Sequence, residues 1–501
     1  MSSTKEKGEG LKKGKLGVAG IAFFVVAASA PMAGMTGTVP VASVLGNGTA
    51  VPGAFVAVGL ILMLFSVGFT AMSHKVTNAG AFFAYVGKGL GTNWGVGSAF
   101  VSILAYITVQ LAVYGFFGAI ASAFFDPLLG IGLGWLGWCV ISWLAVTGLS
   151  LLSVDVGAKF LGVLTSLEIL SLLITGVAIL VKGGPEPINF AASFDPNLIF
   201  AGGFAGTAGI ALSFAFASFI GFESTAIYGE EAKDPKNTVR RATYLAVGVI
   251  AGLFTLVSFA MVTGLGSSTY IDQILSLSAV DGAPLVNPAN VLFSLATSAV
   301  GPWMAQAMNI FLITSMFAGL LAFQNAASRY FFAMARGGVL PKALASVNGR
   351  GAPQGGVIAT SVIAIVVMVL FFANNLDPVL HLFYWTSTVA VLAITLVEIL
   401  VSVAVMAYFR KNGGANAWQA IVAPALATVG MALAMYLIMA RFNLLAGTVA
   451  DGVDPTLPES AFQLSSLGWF LVALPFIMFV VGIVSGVVNK NENKSLVEDM
   501  S

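Results

Sequence analysis

Ala28-Ser29-Ala30-Pro31-Met32-Ala33-Gly34 sits midway along an apolar run from Leu16 to Val44. That run is long enough to cross a bilayer. Proline removes a backbone donor and crowds the preceding turn, so a Pro and a Gly within one turn predict a break in the helix. Peptide groups freed at mid-membrane cannot face lipid; they are tolerated where they line a cavity enclosed by protein. An ordinary kink is the other reading of the same residues, since Gly and Pro are common in membrane helices.

Outward from this segment, the chain keeps the same character. Its 501 residues are 58% hydrophobic and 9% charged, where soluble domains are about 45–50% apolar and about 25% charged. Apolar runs recur along the whole length, cut by charges or by Gly, Pro, Asn and Asp. They predict about twelve transmembrane helices, numbered here as spans 1 to 12: 16–44, 51–72, 94–123, 134–153, 157–181, 199–229, 240–264, 300–333, 356–374, 380–409, 417–440 and 466–488. The fold class expected is all-α and integral to a membrane. Residues 1–15 form a polar tail without the apolar core of a signal peptide, so span 1 is read as retained. Residues 489–501 form the second tail.

Lys and Arg accumulate in cytoplasmic loops. With the N-terminus inside, all of the 22 cations except Lys182 and Arg441 fall on one side. Both termini are therefore expected in the cytoplasm, with the polar stretches 265–299 and 441–465 outside. The net charge of +1 offers no concentrated basic face for nucleic acid. One cysteine, Cys139, and two histidines, His74 and His381, supply no metal cluster, disulfide or haem attachment. No metal, cofactor or enzymatic activity is expected, and Cys139 reads as a small apolar filler beside Trp138.

A second candidate break, Ser218-Phe219-Ile220-Gly221-Phe222-Glu223, lies in span 6, five spans after the first. That is the spacing of two inverted five-helix repeats, each opening with a discontinuous helix, about 16–181 and 199–409, followed by two additional helices. In transporters, helix N-termini at such breaks face anionic groups and bare carbonyls face cations.

The segment Phe214–Glu223, with Glu230-Glu231-Ala232-Lys233-Asp234-Pro235-Lys236 and Arg241-Ala242, resembles the sixth-span signature of the amino acid-polyamine-organocation (APC) permeases. The loop from Ser73 to Tyr85 resembles that family's loop after span 2, and Asn325–Arg329 with Ala335–Pro341 resembles its span 8 end. The resemblance implies the LeuT-like five-plus-five fold, in which spans 1, 2, 6 and 7 rock against 3, 4, 8 and 9. It implies secondary active transport of an amino acid, by proton-coupled uptake (symport), across the inner or plasma membrane, by a monomer or homodimer. The substrate carboxylate then meets span 1 at Ser29, Ala30, Pro31, Met32, Ala33 and Gly34. The substrate amine meets span 6 carbonyls at Ala217 and Ile220, beside Ser218. Two departures stand out: Ser29-Ala30-Pro31 replaces the usual Gly-Ser-Gly, and Ala217 stands where arginine/agmatine antiporters carry a Trp.

Phe216, Phe219 and Phe222 are candidate aromatic gates, each cation–π contact worth about 0.5–2 kcal/mol; packing is the alternative. Tyr106, Gln110 and Tyr114 share one face of span 3 and either line the substrate pocket or cross-link helices. Three acids lie inside spans. A charged carboxylate at mid-membrane costs about 2.5–3.5 kcal/mol on the insertion scale. Glu168 in span 5 stands where many family members carry a Lys to which proton coupling is attributed. Its readings are a proton carrier, a ligand of Na+ with Thr314 and Ser315, or a structural group bonded to Ser315. Glu223 is a candidate proton sensor or tie, and Glu398 in span 10 a structural or gating group. Two rivals remain: a polyamine or organocation carrier (or an amino acid exchanger) of the same fold, and a proton-translocating subunit of an enzyme complex. The second wants buried lysines, and nearly all lysines here lie at loops or ends.

Overall fold

The computed structural model describes residues 14, 16–76, 82–152, 154–280, 282 and 285–488. Both lysine-bearing tails, residues 77–81 of the loop motif, and the side chains of Lys159 and Glu230 lie outside the described residues. The described chain is helical throughout, its β structure reduced to the isolated bridges Leu16–Ala232 and Val449–Leu464.

Ten helical runs are long and apolar enough to cross a membrane among the described residues. Against the expected count of about twelve, the difference lies in two places. Val18–Ser73 is one run holding spans 1 and 2, interrupted at Ala30 (φ +42°) and again at Gly46, whose φ −105°, ψ −114° is not helical. Gly134–Ser150, in span 4, is 17 residues long.

Burial separates central from peripheral helices. In Ala208–Ile227, 94% of the most apolar window is buried; in Ser466–Val488 only 22% is, and in Gln354–Ala373 33%. Span 6 is thus enclosed by protein on all sides, whereas spans 9 and 12 present most of their surface outward. Exposed Val484, Val480, Leu370 and Val366 suit a lipid-facing surface. Close approach relies on small residues. A Cβ on Gly209 would stand 2.0 Å from the carbonyl oxygen of Leu437, so span 6 can lie against span 11 only with hydrogen there. Cys139 is fully buried, its thiol donating to the Tyr114 carbonyl oxygen at 3.1 Å.

Three connections carry structure that periodicity did not announce. Phe82–Leu90 is a helix buried through Phe82, Phe83, Ala84, Tyr85 and Val86, packed between spans 3 and 10. The stretch 265–299 holds the helices Tyr270–Leu277 and Ala289–Ala299. In 441–465, Arg441 is 1% exposed and donates to the carbonyls of Ala205, Gly206, Pro455 and Leu457 and to Ser460 Oγ, pinning that loop onto the start of span 6. Helix Pro235–Leu265 starts at Asp234, whose carboxylate accepts from the Asn237 amide side chain at 2.7 Å and its backbone N–H at 3.4 Å. These bonds, the side-chain one foremost, hold Asp234 below the usual carboxylate range.

Candidate functional site

Span 1 breaks at Ser29 and Ala30. Helix Val18–Ala28 ends there, Ala30 takes the left-handed conformation, and a new helical segment begins at Pro31. A left-handed alanine costs about 1–2 kcal/mol. Its Cβ lies toward Gly319 of span 8, 3.5 Å from where a Cβ there would stand, an ordinary contact distance. Span 6 breaks at Ile220-Gly221: helix Ala208–Phe219 gives way to an extended Ile220 (ψ 127°) and to Gly221 at φ +113°, then resumes as Ser224–Ile227. The two breaks touch. A Cβ on Gly221 would lie 2.6 Å from Ala28 Cβ.

Each break is tied by one buried carboxylate. Glu168 Oε1 accepts the backbone N–H of Met32, at the start of the resumed span 1 helix, and the Ser315 hydroxyl at 2.6 Å. Glu223 Oε2 accepts the Gly221 N–H at 2.9 Å, and its Oε1 accepts the Tyr106 hydroxyl at 2.6 Å. Glu168 and Glu223 are each 1% exposed. The freed N–H groups of P-M-A and I-G-F are thereby partly satisfied, and spans 5, 8 and 3 are bound to the breaks.

Between the breaks lies a cavity of about 80 Å³, measured as space open to water centres. A single water needs roughly 10–15 Å³ by that measure, so the cavity holds several waters or a small solute. Ser29, Ala30, Ala33, Gly34, Ala217 and Ser218 line it, joined by Thr38, Ser213, Phe323, Ser387 and Thr388. None of its lining residues is Asp, Glu, Lys, Arg or His. Of the other residues singled out in the sequence, Pro31, Met32, Phe216, Phe219, Ile220, Phe222, Tyr106 and Gln110 do not reach its wall. Phe222 packs edge-on against Phe65, ring centroids 5.8 Å apart, and the Phe219 ring lies toward Gly59 of span 2. Tyr106 is taken by Glu223, and Gln110 Nε2 donates to Gln324 Oε1 at 2.5 Å. The polar face of span 3 therefore cross-links helices. The cavity meets the adjacent apolar face instead, through Val109, Ala112, Val113 and Phe116.

Phe116 and Phe383 are absent from the sequence reading. With Phe214 and Thr38 they line both this cavity and a larger one of about 420 Å³, which reaches Leu285–Asn290 at the end away from Leu16. Phe116 and Phe383 rings are 5.2 Å apart. These shared side chains stand between the two cavities. Nothing in the sequence distinguishes these two among 38 phenylalanines.

The opposite end is closed by an ion pair and its neighbours. Arg329 of span 8 and Glu231 form a two-bond ion pair, 2.7 and 3.1 Å, with 2% and 0% exposure. Arg329 also lies 4.9 Å from the centre of the Tyr228 ring, which stacks on Phe24 of span 1. The backbone of Leu16 donates to Glu231 O and accepts from Lys233 N–H. Spans 1, 6 and 8 are thus locked together below the cavity.

Residues 21–494 match the family model described as Amino acid permease. The branched-chain amino acid permease BcaP of Lactococcus lactis subsp. cremoris (strain MG1363) is 29% identical over 216 residues, 43% of this chain and 42% of that protein. An uncharacterized amino-acid permease, C777.04, of Schizosaccharomyces pombe (strain 972) is 27% identical over 386 residues, 72% of this chain and 70% of that one. The L-lysine transport protein of Corynebacterium glutamicum is 26% identical over 157 residues, 31% of this chain and 28% of its own length. The match thus spans less than half the length of the first and third of these relatives. Among solved structures, MhsT in complex with L-phenylalanine superimposes with a TM-score of 0.55 at 14% identity, over 83% of this chain and 98% of that chain. At that identity the likeness is one of fold, and the fold is the LeuT-like one.

Proposed function

The chain belongs to the amino acid permease family, and from that membership and the paired breaks we propose that it is a secondary active transporter of neutral amino acids. One observation carries the reading: two interrupted helices meet at a cavity whose wall holds hydroxyls, peptide groups and apolar side chains but no charged residue. A zwitterion brings one charge of each sign at its own backbone, which peptide dipoles at helix breaks can balance. A polyamine brings only positive charge, and the wall offers it no carboxylate. Val109, Val113, Met316, Val391 and Leu445 favour an apolar side chain over a polar one. The name of the branched-chain permease and the phenylalanine bound to MhsT agree with a neutral cargo.

Alternating access follows from the asymmetry of the two ends. The conformation described is tied together on the Arg329–Glu231 side, which the cation distribution supports as the cytoplasmic one, and bordered by Phe116, Phe214 and Phe383 on the other. Opening inward requires spans 1 and 6 to part from spans 3 and 8, which breaks Tyr106–Glu223 and Arg329–Glu231 together. In this reading Glu168 is the proton-coupling group. Its two donors come from span 1 and span 8, so movement of one against the other strips it of partners and changes its proton affinity. One proton charge moving through 100 mV supplies about 2.3 kcal/mol, enough for roughly a fifty-fold gradient of a neutral solute. The membrane assigned is the inner or plasma membrane, with residues 16–488 as the transport unit.

The test is uptake into proteoliposomes under an imposed pH gradient, with and without Na+, against a panel of amino acids and putrescine. Leucine-, valine- or phenylalanine-like substrates should accumulate and compete with one another. Competition by putrescine with none by amino acids overturns the assignment. Accumulation that needs Na+ and ignores the pH gradient overturns the proton coupling alone.

A further inference from the structure

Glu398 lies in the helix Tyr384–Asn412 and is 2% exposed. Its Oε2 has no hydrogen-bond partner among the described residues; nor have Thr395 Oγ1 and Ser402 Oγ, placed three residues before it and four after. That spacing puts all three groups on one face of the helix. Thr395 and Ser402 are likewise buried, 0% and 2% exposed. A run of unpaired polar atoms inside a membrane protein calls for an explanation.

Glu223, the buried carboxylate at the span 6 break, is in the opposite condition. Both of its oxygens accept hydrogen bonds, from the Tyr106 hydroxyl and the Gly221 N–H. An ionised carboxylate only accepts, whereas a protonated one also donates. Glu223 is supplied with donors on both oxygens. Glu398 Oε2 is supplied with none among the described residues, and a carboxylate oxygen left so, away from water, favours the neutral acid.

Among the described residues no cation pairs with Glu398. Span 3 brings Tyr106 and Tyr114 toward span 10, and Asp126 at its far end, where Ser122 and Trp138 engage it. Helix Phe82–Leu90 brings Tyr85 and Lys88, the segment Pro378–Phe383 brings His381, and span 11 brings the exposed Tyr436. The packed helices Val51–Ser73, Ala208–Phe219 and Ser466–Val488 carry no titratable side chain.

We propose that Glu398 is a proton-binding site, separate from Glu168, occupied by a proton in this conformation. The proposal does not depend on the identity of the cargo.

Infrared spectroscopy reads it directly, because the carbonyl stretch of a carboxylic acid is separate from the bands of a carboxylate. The full chain in an ester-free detergent at pH 8 is compared with Glu398→Gln, and Glu168→Gln serves as a control. The wild type minus Glu398→Gln spectrum should show the loss of one protonated acid per chain, and that acid band should persist in Glu168→Gln. Loss of a carboxylate pair of bands instead would show Glu398 ionised and overturn the proposal. An acid band that appears in choline buffer but vanishes in Na+ buffer would replace the proton by a metal cation, and equally overturn it. If Glu398→Gln does not fold, Glu398→Asp in protein labelled with 13C-glutamate gives the same answer. The acid band then reverts to its unlabelled frequency; no reversion refutes the site.

Discussion

Replacing Gly221 by alanine tests the contact on which the whole site stands. Gly221 sits at φ +113°, a conformation that a side chain adopts at a cost of about 1–3 kcal/mol. The new Cβ would also stand 2.6 Å from Ala28 Cβ and 3.7 Å from the Phe323 ring. Overpacking of this kind costs about 1–3 kcal/mol, so Gly221→Ala should lose about 2–6 kcal/mol, a large share of the roughly 5–15 kcal/mol that holds a native protein. The two contributions can be separated. Ala28→Gly removes the clash and leaves the backbone strain, at its own expense of about 0.5–1 kcal/mol for a glycine at a helix end. The double variant should therefore be more stable than Gly221→Ala alone, with a coupling of about 1–3 kcal/mol between the sites. Thermal unfolding of the four purified proteins in one detergent, read as midpoints and as half-lives at a fixed temperature, supplies the cycle. A coupling below about 0.5 kcal/mol, the level at which independent sites add, would mean that spans 1 and 6 do not meet at these residues, and the cavity between them would have to be abandoned.

Ala30→Gly relieves the left-handed strain of about 1–2 kcal/mol and gives back up to about 1 kcal/mol of chain entropy. Its thermal midpoint should equal or exceed that of the wild type, and a fall would contradict the break at Ala30. Ala217→Trp fills the cavity wall where space is about 80 Å³; it should abolish the shift in thermal midpoint caused by substrate while leaving the ligand-free midpoint within a few degrees. Glu168→Gln keeps an oxygen for the Met32 N–H and Ser315 hydroxyl, so counterflow should survive while accumulation driven by a pH gradient is lost; unchanged accumulation removes Glu168 from coupling. Arg329→Gln leaves Glu231 as a buried, unpaired charge and should cost about 3–5 kcal/mol. Adding Glu231→Gln should recover part of that, and a thiol placed at Ser218 in a Cys139→Ser background should label faster from the Arg329 side.

The breaks were legible because they leave marks that lipid-facing helices do not need: Pro31 inside an apolar run, Gly221 beside an acid. Glu168 was legible for the same reason, as a charge where charge is costly. Span 3 left two readings open because polar side chains such as Tyr106 and Gln110 can line a pocket or tie helices together; they form inter-helix bonds, and the cavity meets Val109, Ala112, Val113 and Phe116. Helix Phe82–Leu90 escaped because nine residues fall short of a span, although its first five are buried. Phe116 and Phe383 escaped because an aromatic ring carries no sign in the sequence of whether it faces lipid, core or cavity. Ala30 adopts left-handed backbone geometry where glycine is the usual choice, and only coordinates reveal that.

The two carboxylates play parallel parts with one difference that matters. Glu168 and Glu223 each accept one backbone N–H at a break and one hydroxyl from a helix beyond it. Glu223, however, is two residues from the N–H it accepts, so rigid movement of span 6 costs it only the Tyr106 bond. Glu168 belongs to span 5, and both of its bonds cross to other helices. Relative movement of spans 1, 5 and 8 thus leaves Glu168 with one donor or none, while Glu223 keeps its backbone donor throughout. A carboxyl that loses its donors must take up a proton or meet water; one that keeps them can remain an anion through the cycle. On the proposed coupling, the hydrogen-bond geometry thus suits a change of protonation at Glu168, whose donors both lie on moving helices, better than at Glu223, which keeps its own backbone donor.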